Sequence, residues 1–323
     1  RSFGGPALRR GLRLGEFMDI RQINSAGRRV ALGRLMASGV PLSDAQYEQL
    51  DDYARRLGVS YDHFWGAYDE AGELAAAALM VPRPGRSGMM FVSPVRKRRD
   101  VATAGAVLRA SADSATADRV RLLQSLVDPD SDLEAEAFAS AGFGELAMLC
   151  YMQRGVSGNL PLPDPPAGVT CVPYVEGRRE AFKAMLAASY EQTLDCPGLL
   201  GVRDLEDVLI GHQATGQFDA ALWTLLLEGD EPAGVALFNR LDELNGAELV
   251  YLGLPPRSRG KGYGALLVRR GLAMCGRVGA SAVSLAVDQA NEPAMRLYRR
   301  LGFYRVARKR ALTKVVSEAN QSG

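Results

Sequence analysis

Residues able to ligate metals or form cross-links are scarce, with four cysteines and two histidines in 323 residues. Cys150, Cys171, Cys196 and Cys275 lie far apart with no paired spacing, and only His63 and His212 could supplement them as ligands. That pattern argues against a metal centre and against a disulfide framework. Long hydrophobic runs are also missing. The longest, 74–81 and 222–227, fall well short of the roughly 20 apolar residues that a membrane span needs, so no bilayer crossing is expected. No charge of one sign dominates, since 39 basic residues face 37 acidic ones for a net +2, and nucleic acid is not expected as a partner. The amino terminus, Arg1-Ser2-Phe3-Gly4-Gly5, lacks both a methionine and an apolar signal core. Residues 1–18 read as a solvated leader, and a cytoplasmic address follows by default.

What is present is an ordinary globular composition, 47% hydrophobic and 24% charged, in a chain long enough for two domains of about 150 residues, each with its own core. Between Arg154 and Gly168, four prolines and three glycines crowd a stretch that can continue neither a helix nor a central strand. This predicts a linker at 154–168 between domains at 19–153 and 169–316, with 317–323 as a tail. In the second half, 221–227 and 233–238 read as a strand hairpin and 248–254 as a third strand. A glycine-rich loop then opens a helix in which Val268, Leu272 and Cys275 would face a sheet. A strand at 281–287 follows. Ala294, Leu297, Tyr298 and Leu301 mark a second helix, ended by Gly302, and 303–308 and 311–316 would supply the last strands.

The informative loop is Pro256-Arg257-Ser258-Arg259-Gly260-Lys261-Gly262-Tyr263-Gly264. A strand that ends in such a loop and opens a helix aims backbone amides at one point, where the helix dipole adds attraction for a phosphate. Glycines allow close approach. A simple turn is the competing reading, and the spacing is neither that of a Walker loop nor of a dinucleotide fingerprint. A second block, Asn291-Glu292-Pro293-Ala294-Met295-Arg296-Leu297-Tyr298-Arg299-Arg300-Leu301-Gly302-Phe303, lies downstream.

Together the two blocks resemble the GNAT superfamily of acyl-CoA-dependent N-acyltransferases, over about 169–313. Arg259, Gly262 and Gly264 match its pyrophosphate loop. Asn291, Ala294, Leu297, Tyr298, Gly302 and Phe303 match its second signature. The resemblance implies an α/β (α+β) fold whose central sheet is mixed, mostly antiparallel and flanked by helices. It also implies acetyl-CoA or a related acyl-CoA as co-substrate, without a metal. Amides of Arg259, Gly260, Lys261, Gly262, Tyr263 and Gly264 would hold the pyrophosphate, with Asn291 along the pantetheine arm. Backbone N–H groups of Leu252, Gly253 and Leu254 would polarise the thioester carbonyl. Tyr298 is similar to the tyrosine these enzymes place near the sulfur, and a phenol, protonated at neutral pH, suits protonation of a departing thiolate. Glu248 stands where members of the family carry a general base, and strand alternation would put it on one face with Val250, Leu252 and Leu254. A merely exposed strand-end glutamate is the alternative.

Subtracting 160 from the signature positions tests for a repeat. Arg259 falls on Arg99, Val287-Asp288 on Val127-Asp128, and Gly302-Phe303 on Gly142-Phe143, without a gap. Gly262 and Gly264 fall on Ala102 and Ala104, Glu248 on Gly88, Asn291 on Ser131 and Tyr298 on Phe138. The first half therefore reads as a GNAT-like fold without an intact acyl-CoA loop, and the chain as two tandem copies. On the acceptor side, the second half is longer around 190–198, where Tyr190 could stack on a substrate and Glu191 and Asp195 could bind an ammonium. A thiol nucleophile at Cys196 would need His212 brought to it by the fold. The expected activity is transfer of a short acyl group to a primary amine by direct attack in a ternary complex, with a small-molecule acceptor preferred. A non-catalytic acyl-CoA sensor and a protein acetyltransferase stay open as alternatives.

Overall fold

The computed structural model describes residues 18–36, 42–56, 58–115, 120–158 and 160–316. The expected leader, apart from Met18, and the expected tail lie outside these residues. The first half runs β1 (Asp19–Gln22), α1 (Arg28–Leu35), α2 (Asp44–Arg56), β2 (Phe64–Tyr68), β3 (Leu74–Arg83), β4 (Ser87–Val92), α3 (Val101–Ser114), β5 (Leu122–Val127), α4 (Asp132–Ser140) and β6 (Gly144–Gly155). The second runs β7 (Val169–Pro173), α5 (Arg179–Ser189), α6 (Leu205–Gln213), β8 (Trp223–Glu228), β9 (Glu231–Leu241), β10 (Gly246–Gly253), α7 (Tyr263–Arg277), β11 (Ala282–Asp288), α8 (Glu292–Arg300) and β12 (Tyr304–Val315). The shift of 160 carries α4 onto α8 and β6 onto β12 without adjustment at either end.

The twelve strands of the described residues join one sheet in the order β1-β2-β3-β4-β5-β12-β6-β11-β10-β9-β8-β7. Its pairs are antiparallel except β4 with β5 and β10 with β11, so the expected mixed, mostly antiparallel sheet is what forms. Buried side chains pack α3 and α4 on one face of the first half and α1 and α2 on the other. In the second half α7 and α8 cover the face continuous with that of α3 and α4, while α5 and α6 cover the opposite one. Both α4 and α8 end at a glycine in the left-handed region, Gly142 at φ +87° and Gly302 at φ +85°. The next amide turns back to close the helix, Phe143 N–H to Phe138 O (3.1 Å) and Phe303 N–H to Tyr298 O (3.0 Å).

The middle of the sheet differs from two side-by-side units. Strand β6 pairs with β11 over 149–155 and 282–288, and β12 pairs with β5 over 122–127 and 310–315. Each half's sheet is thus completed by the other half's last strand, and β6 and β12 also pair with each other. The two terminal segments expected at 303–308 and 311–316 form one strand, irregular at Val306 and near Ala311. Cys150 and Met152 of β6 lie in the core beneath α7 and α8, and Leu312 of β12 lies in the core beneath α3 and α4.

Candidate functional site

Strands β10 and β11 pair in parallel only at Gly246, Ala247 and Glu248. Beyond Glu248, β10 stays on β9 and leaves β11, opening a cleft of about 640 Å³. Leu252, Gly253 and Leu254 form one wall, the glycine loop and start of α7 the second, and Asn291, Pro293, Ala294 and Leu297 of the α8 segment the third. Ser189 and residues 192–195 roof it.

The loop owes its shape to two glycines in the left-handed region, Gly260 at φ +78° and Gly262 at φ +85°. Other residues adopt that conformation only at a cost. Gly262 caps α7, and helical bonding begins with Leu266 N–H to Gly262 O at 3.1 Å. The amides of Gly262, Tyr263, Gly264 and Ala265 have no carbonyl acceptor among the described residues and stand at the positive end of the helix dipole. A Cβ on Gly264 would lie 3.3 Å from Leu297 Cδ2, so this glycine lets α7 approach α8. The first half lacks this feature. Its helix α3 already starts at Val101, and none of residues 93–103 takes a positive φ.

Not every side chain of the loop faces the cleft. Lys261 Nζ donates to both oxygens of Glu228 (2.9 and 2.8 Å), and Tyr263 is buried in the core. Of these two residues only the backbone is available to a ligand. Arg259 reaches across instead. Its guanidinium donates to Leu254 O (3.0 Å), Gln192 O (3.1 Å), Ser189 O (3.2 Å) and Glu191 O (2.6 Å), tying the loop to the end of α5 and to β10.

A bulge in β10 at Val250 breaks the expected alternation. Ala247, Leu249, Leu252 and Leu254 pack towards α7, while Val250 and Tyr251 pack towards α5 and α6. Glu248 sits opposite Asn239, whose side chain bonds the carbonyls of His212 and Thr215 at the end of α6. Glu248 therefore shares the α5/α6 face with Val250 but not with Leu252 or Leu254. The bulge lets β10 present a carboxylate to one side and two leucines to the other. Burial holds the Glu248 carboxyl above the usual range, and among the described residues it has no hydrogen bond or ion pair.

Tyr298 is buried, its ring edge-on to Phe303 at 5.8 Å. The pair Phe138–Phe143 repeats that packing at 5.1 Å in the first half. Burial, then the charge of Asp195, pushes the Tyr298 phenol well above its ordinary pKa, so it stays a proton donor at neutral pH.

The three residues expected to read the acceptor have other contacts. Tyr190 ends α5 with its ring edge-on to Tyr251 at 5.9 Å. Glu191 is exposed and contributes its carbonyl to Arg259. Asp195 accepts from the Asp288 amide at 3.0 Å and bonds Asn291, which also caps α8 through the Ala294 amide. Burial raises the Asp195 carboxyl, helped by the charge of Asp288. The Cys196 thiol is pushed up to about 12 by burial and by Asp195 and Asp288, which disarms it as a nucleophile.

Besides His212, three groups on this face, Tyr251, Ser189 and Tyr151, had no signal in the sequence. Tyr251 Oη and Ser189 Oγ lie 2.7 Å apart, and the His212 ring lies 5.3 Å from that of Tyr251. His212 is held neutral, its pKa lowered to about 4 by burial and by Arg203. Tyr151, carried in by β6, has its phenol pushed up by burial and by the nearby Glu248 charge. Among the described residues no cluster of His, Cys, Asp and Glu could hold a metal ion, and no helix is long and apolar enough to cross a membrane.

Residues 189–303 match the Acetyltransferase (GNAT) family. The chain is 36% identical to a mycothiol acetyltransferase of Kineococcus radiotolerans, over 74% of this chain and 77% of that protein. It is 34% identical to a mycothiol acetyltransferase of Thermobispora bispora, over 77% and 82%. Among solved structures it is similar to a GCN5-related N-acetyltransferase from Sphaerobacter thermophilus, with a TM-score of 0.60 and 20% identity over 92% of this chain and 95% of that one. A tandem GNAT protein from the clavulanic acid biosynthesis pathway follows at TM-score 0.51 and 15% identity, over 93% and 98%. The chain belongs to the GNAT family, and it is an acetyl-CoA-dependent N-acetyltransferase.

Proposed function

We infer that the second half, 169–316, is the catalytic domain and acetylates the primary amine of a small molecule. The observation that carries this is the cleft that opens where β10 leaves β11, with unpaired amides at one end; the unpaired carboxylate of Glu248 lies outside the cleft's lining, across the bulge on the α5/α6 face of the same strand. Amides of residues 259–264 hold the pyrophosphate of acetyl-CoA, and Arg269 and Arg300, which line the same cleft, add positive charge. Asn291 borders the pantetheine arm. The thioester carbonyl is polarised by backbone N–H groups among Leu252, Gly253 and Leu254 on the splayed side of β10.

In the ternary complex Glu248 takes a proton from the ammonium of the acceptor, directly or through water. The freed nitrogen attacks the carbonyl carbon, the C–N bond forms as the C–S bond breaks, the sulfur receives the proton of Tyr298, and the second proton that the nitrogen sheds on becoming an amide returns through solvent to the phenolate. The raised Glu248 pKa suits a base working near neutral pH. The acceptor lies on the α5/α6 face beside Glu248, with Tyr190, Glu191 and Asp195 in the segment that walls it. The names of the relatives make the amine-bearing, unacetylated form of mycothiol the first acceptor to test.

Coenzyme A formation would be followed by chromatography with that compound, glucosamine and a lysine-containing peptide. Turnover with a small amine is expected. Turnover with the peptide alone, or acetyl-CoA binding without coenzyme A formation for any amine, would overturn the reading.

A further inference from the structure

The first half reaches the acceptor wall through the turn between β3 and β4. Gly85 and Arg86 both lie in the left-handed region, at φ +75° and +50°. Arg86 Nε donates to Asp207 Oδ2 at 2.7 Å, and its Nη2 pairs with Asp204, so one guanidinium bridges the first turn of α6. Arg203 returns the contact, its Nη2 donating to Gly85 O and to Asp207 O, each at 2.7 Å. The fit is tight. A Cβ on Gly85 would stand 2.1 Å from Asp207 O and 2.5 Å from Arg203 Nη2, and one on Gly211 would stand 2.9 Å from the same nitrogen. Asp207 is 7% exposed, so its carboxylate depends on this cation.

The first turn of α6 is also where α5 is attached, since Glu206 pairs with Arg179 and Lys183. From there α6 runs to His212, whose ring faces Tyr251, and Tyr251 bonds Ser189 at the end of α5. The turn of the first half thus grips the helix that sets the spacing between the α5/α6 wall and the Glu248 strand. The equivalent turn 160 residues on is 244–246, where the Leu244 side chain is 75% exposed, so the grip does not follow from the internal repeat.

We propose that Arg86, seated by Gly85, is a positioning residue for acceptor binding, and that the first half takes part in the reaction by holding α6 in place. This rests on the acceptor lying between α5/α6 and Glu248. An α6 released at its first turn widens the acceptor side and leaves the acetyl-CoA cleft, held by Arg259 and the glycine loop, as it was.

The test uses the full chain with acetyl-CoA and the unacetylated form of mycothiol. Arg86→Ala and Gly85→Ala are each expected to raise the acceptor KM about 5- to 20-fold, with kcat and the acetyl-CoA Kd within about twofold of wild type. Arg86→Lys, which keeps the charge without the fork, should fall between. Adding Asp204→Ala to Arg86→Ala should cost little more, because the pair is already broken. An unchanged acceptor KM in both single variants would overturn the proposal, as would acceptor KM, acetyl-CoA Kd and melting temperature all shifting together. Failure of the wild-type chain to acetylate this amine would strike the assigned acceptor instead, and the grip would then be read with the amine that does turn over.

Discussion

Gly262→Ala tests whether the left-handed loop holds acetyl-CoA. A Cβ at this position would meet nothing within 4 Å, so the substitution adds no clash and its cost lies in the backbone at φ +85°. An L-residue held there costs about 1–2 kcal/mol. The free protein has a way out of that strain, because the first half shows the alternative. With Ala102 at the equivalent position, α3 starts at Val101, which corresponds to Lys261, two residues before the start of α7. An alanine at 262 lets α7 extend backwards in the same manner, giving helical acceptors to amides that otherwise face the cleft. Binding must then restore the strained loop, which raises the acetyl-CoA Kd about 5- to 30-fold for about 1–2 kcal/mol. Calorimetric titration of acetyl-CoA into variant and wild type measures this directly, with acceptor KM as the internal control. A Kd within twofold of wild type would refute the claim that these amides, in this conformation, bind the ligand.

Tyr298→Phe should lower kcat by about 10²-fold or more with little change in melting temperature, since Phe138 already shows that the ring packs without its hydroxyl; unimpaired turnover would remove the acid role. Glu248→Gln should lower kcat/KM and abolish an acidic limb that lies above the ordinary carboxylate range, as a pH–rate profile would reveal. The same variant carries a stability sign. A carboxyl whose folded pKa is raised stabilises the fold below its unfolded pKa, and that contribution is lost as pH rises through the folded value, so Gln is expected to raise the melting temperature at neutral pH. Residues 169–316 expressed alone lack β6, which leaves β11 without its antiparallel partner and removes Cys150 and Met152 from the core beneath α7 and α8. Such a fragment should aggregate or stay unfolded, as circular dichroism and gel filtration would show, and a monomeric, cooperatively folding fragment would contradict the importance of the exchange.

The glycine loop and the 291–303 block were legible because their information is local. A positive φ demands glycine whatever lies around it, and a helix ending at Gly302 announces its cap within a few residues. The orientation of Glu248 was only half legible. Alternation correctly separates 247 and 249 from 248, but the bulge at Val250 exists only in register with β9, and no property of 248–254 alone reveals it. Arg259 was recognised through its motif, whereas its bonds to the end of α5 depend on a loop some sixty-seven residues earlier in the chain, Gln192 O among them. Tyr151 gave no signal at all, because β6 reads as a good strand whichever neighbour it takes.

That last ambiguity explains the form of the repeat. Because β6 completes the second sheet and β12 the first, α4 and α8 must deliver strands of matching length to the same place, and here the shift of 160 is kept residue for residue. Nothing in that constraint protects the glycines of the loop, the tyrosine hydroxyl or the strand carboxylate, since none of them supports the exchanged strands. Ala102, Ala104, Phe138 and Gly88 are the outcome. Gly142 and Phe143 are kept because they aim β6 out of α4, through the left-handed cap and the Phe138–Phe143 contact. Apart from Arg99 and Arg259, the compared positions at which the halves agree lie at the end of β5 and β11 or where α4 and α8 lead into the exchanged strands. Most of the positions proposed to serve acetyl-CoA and the amine are ones at which the halves differ, while the strand that each half lends to the other keeps its length and place.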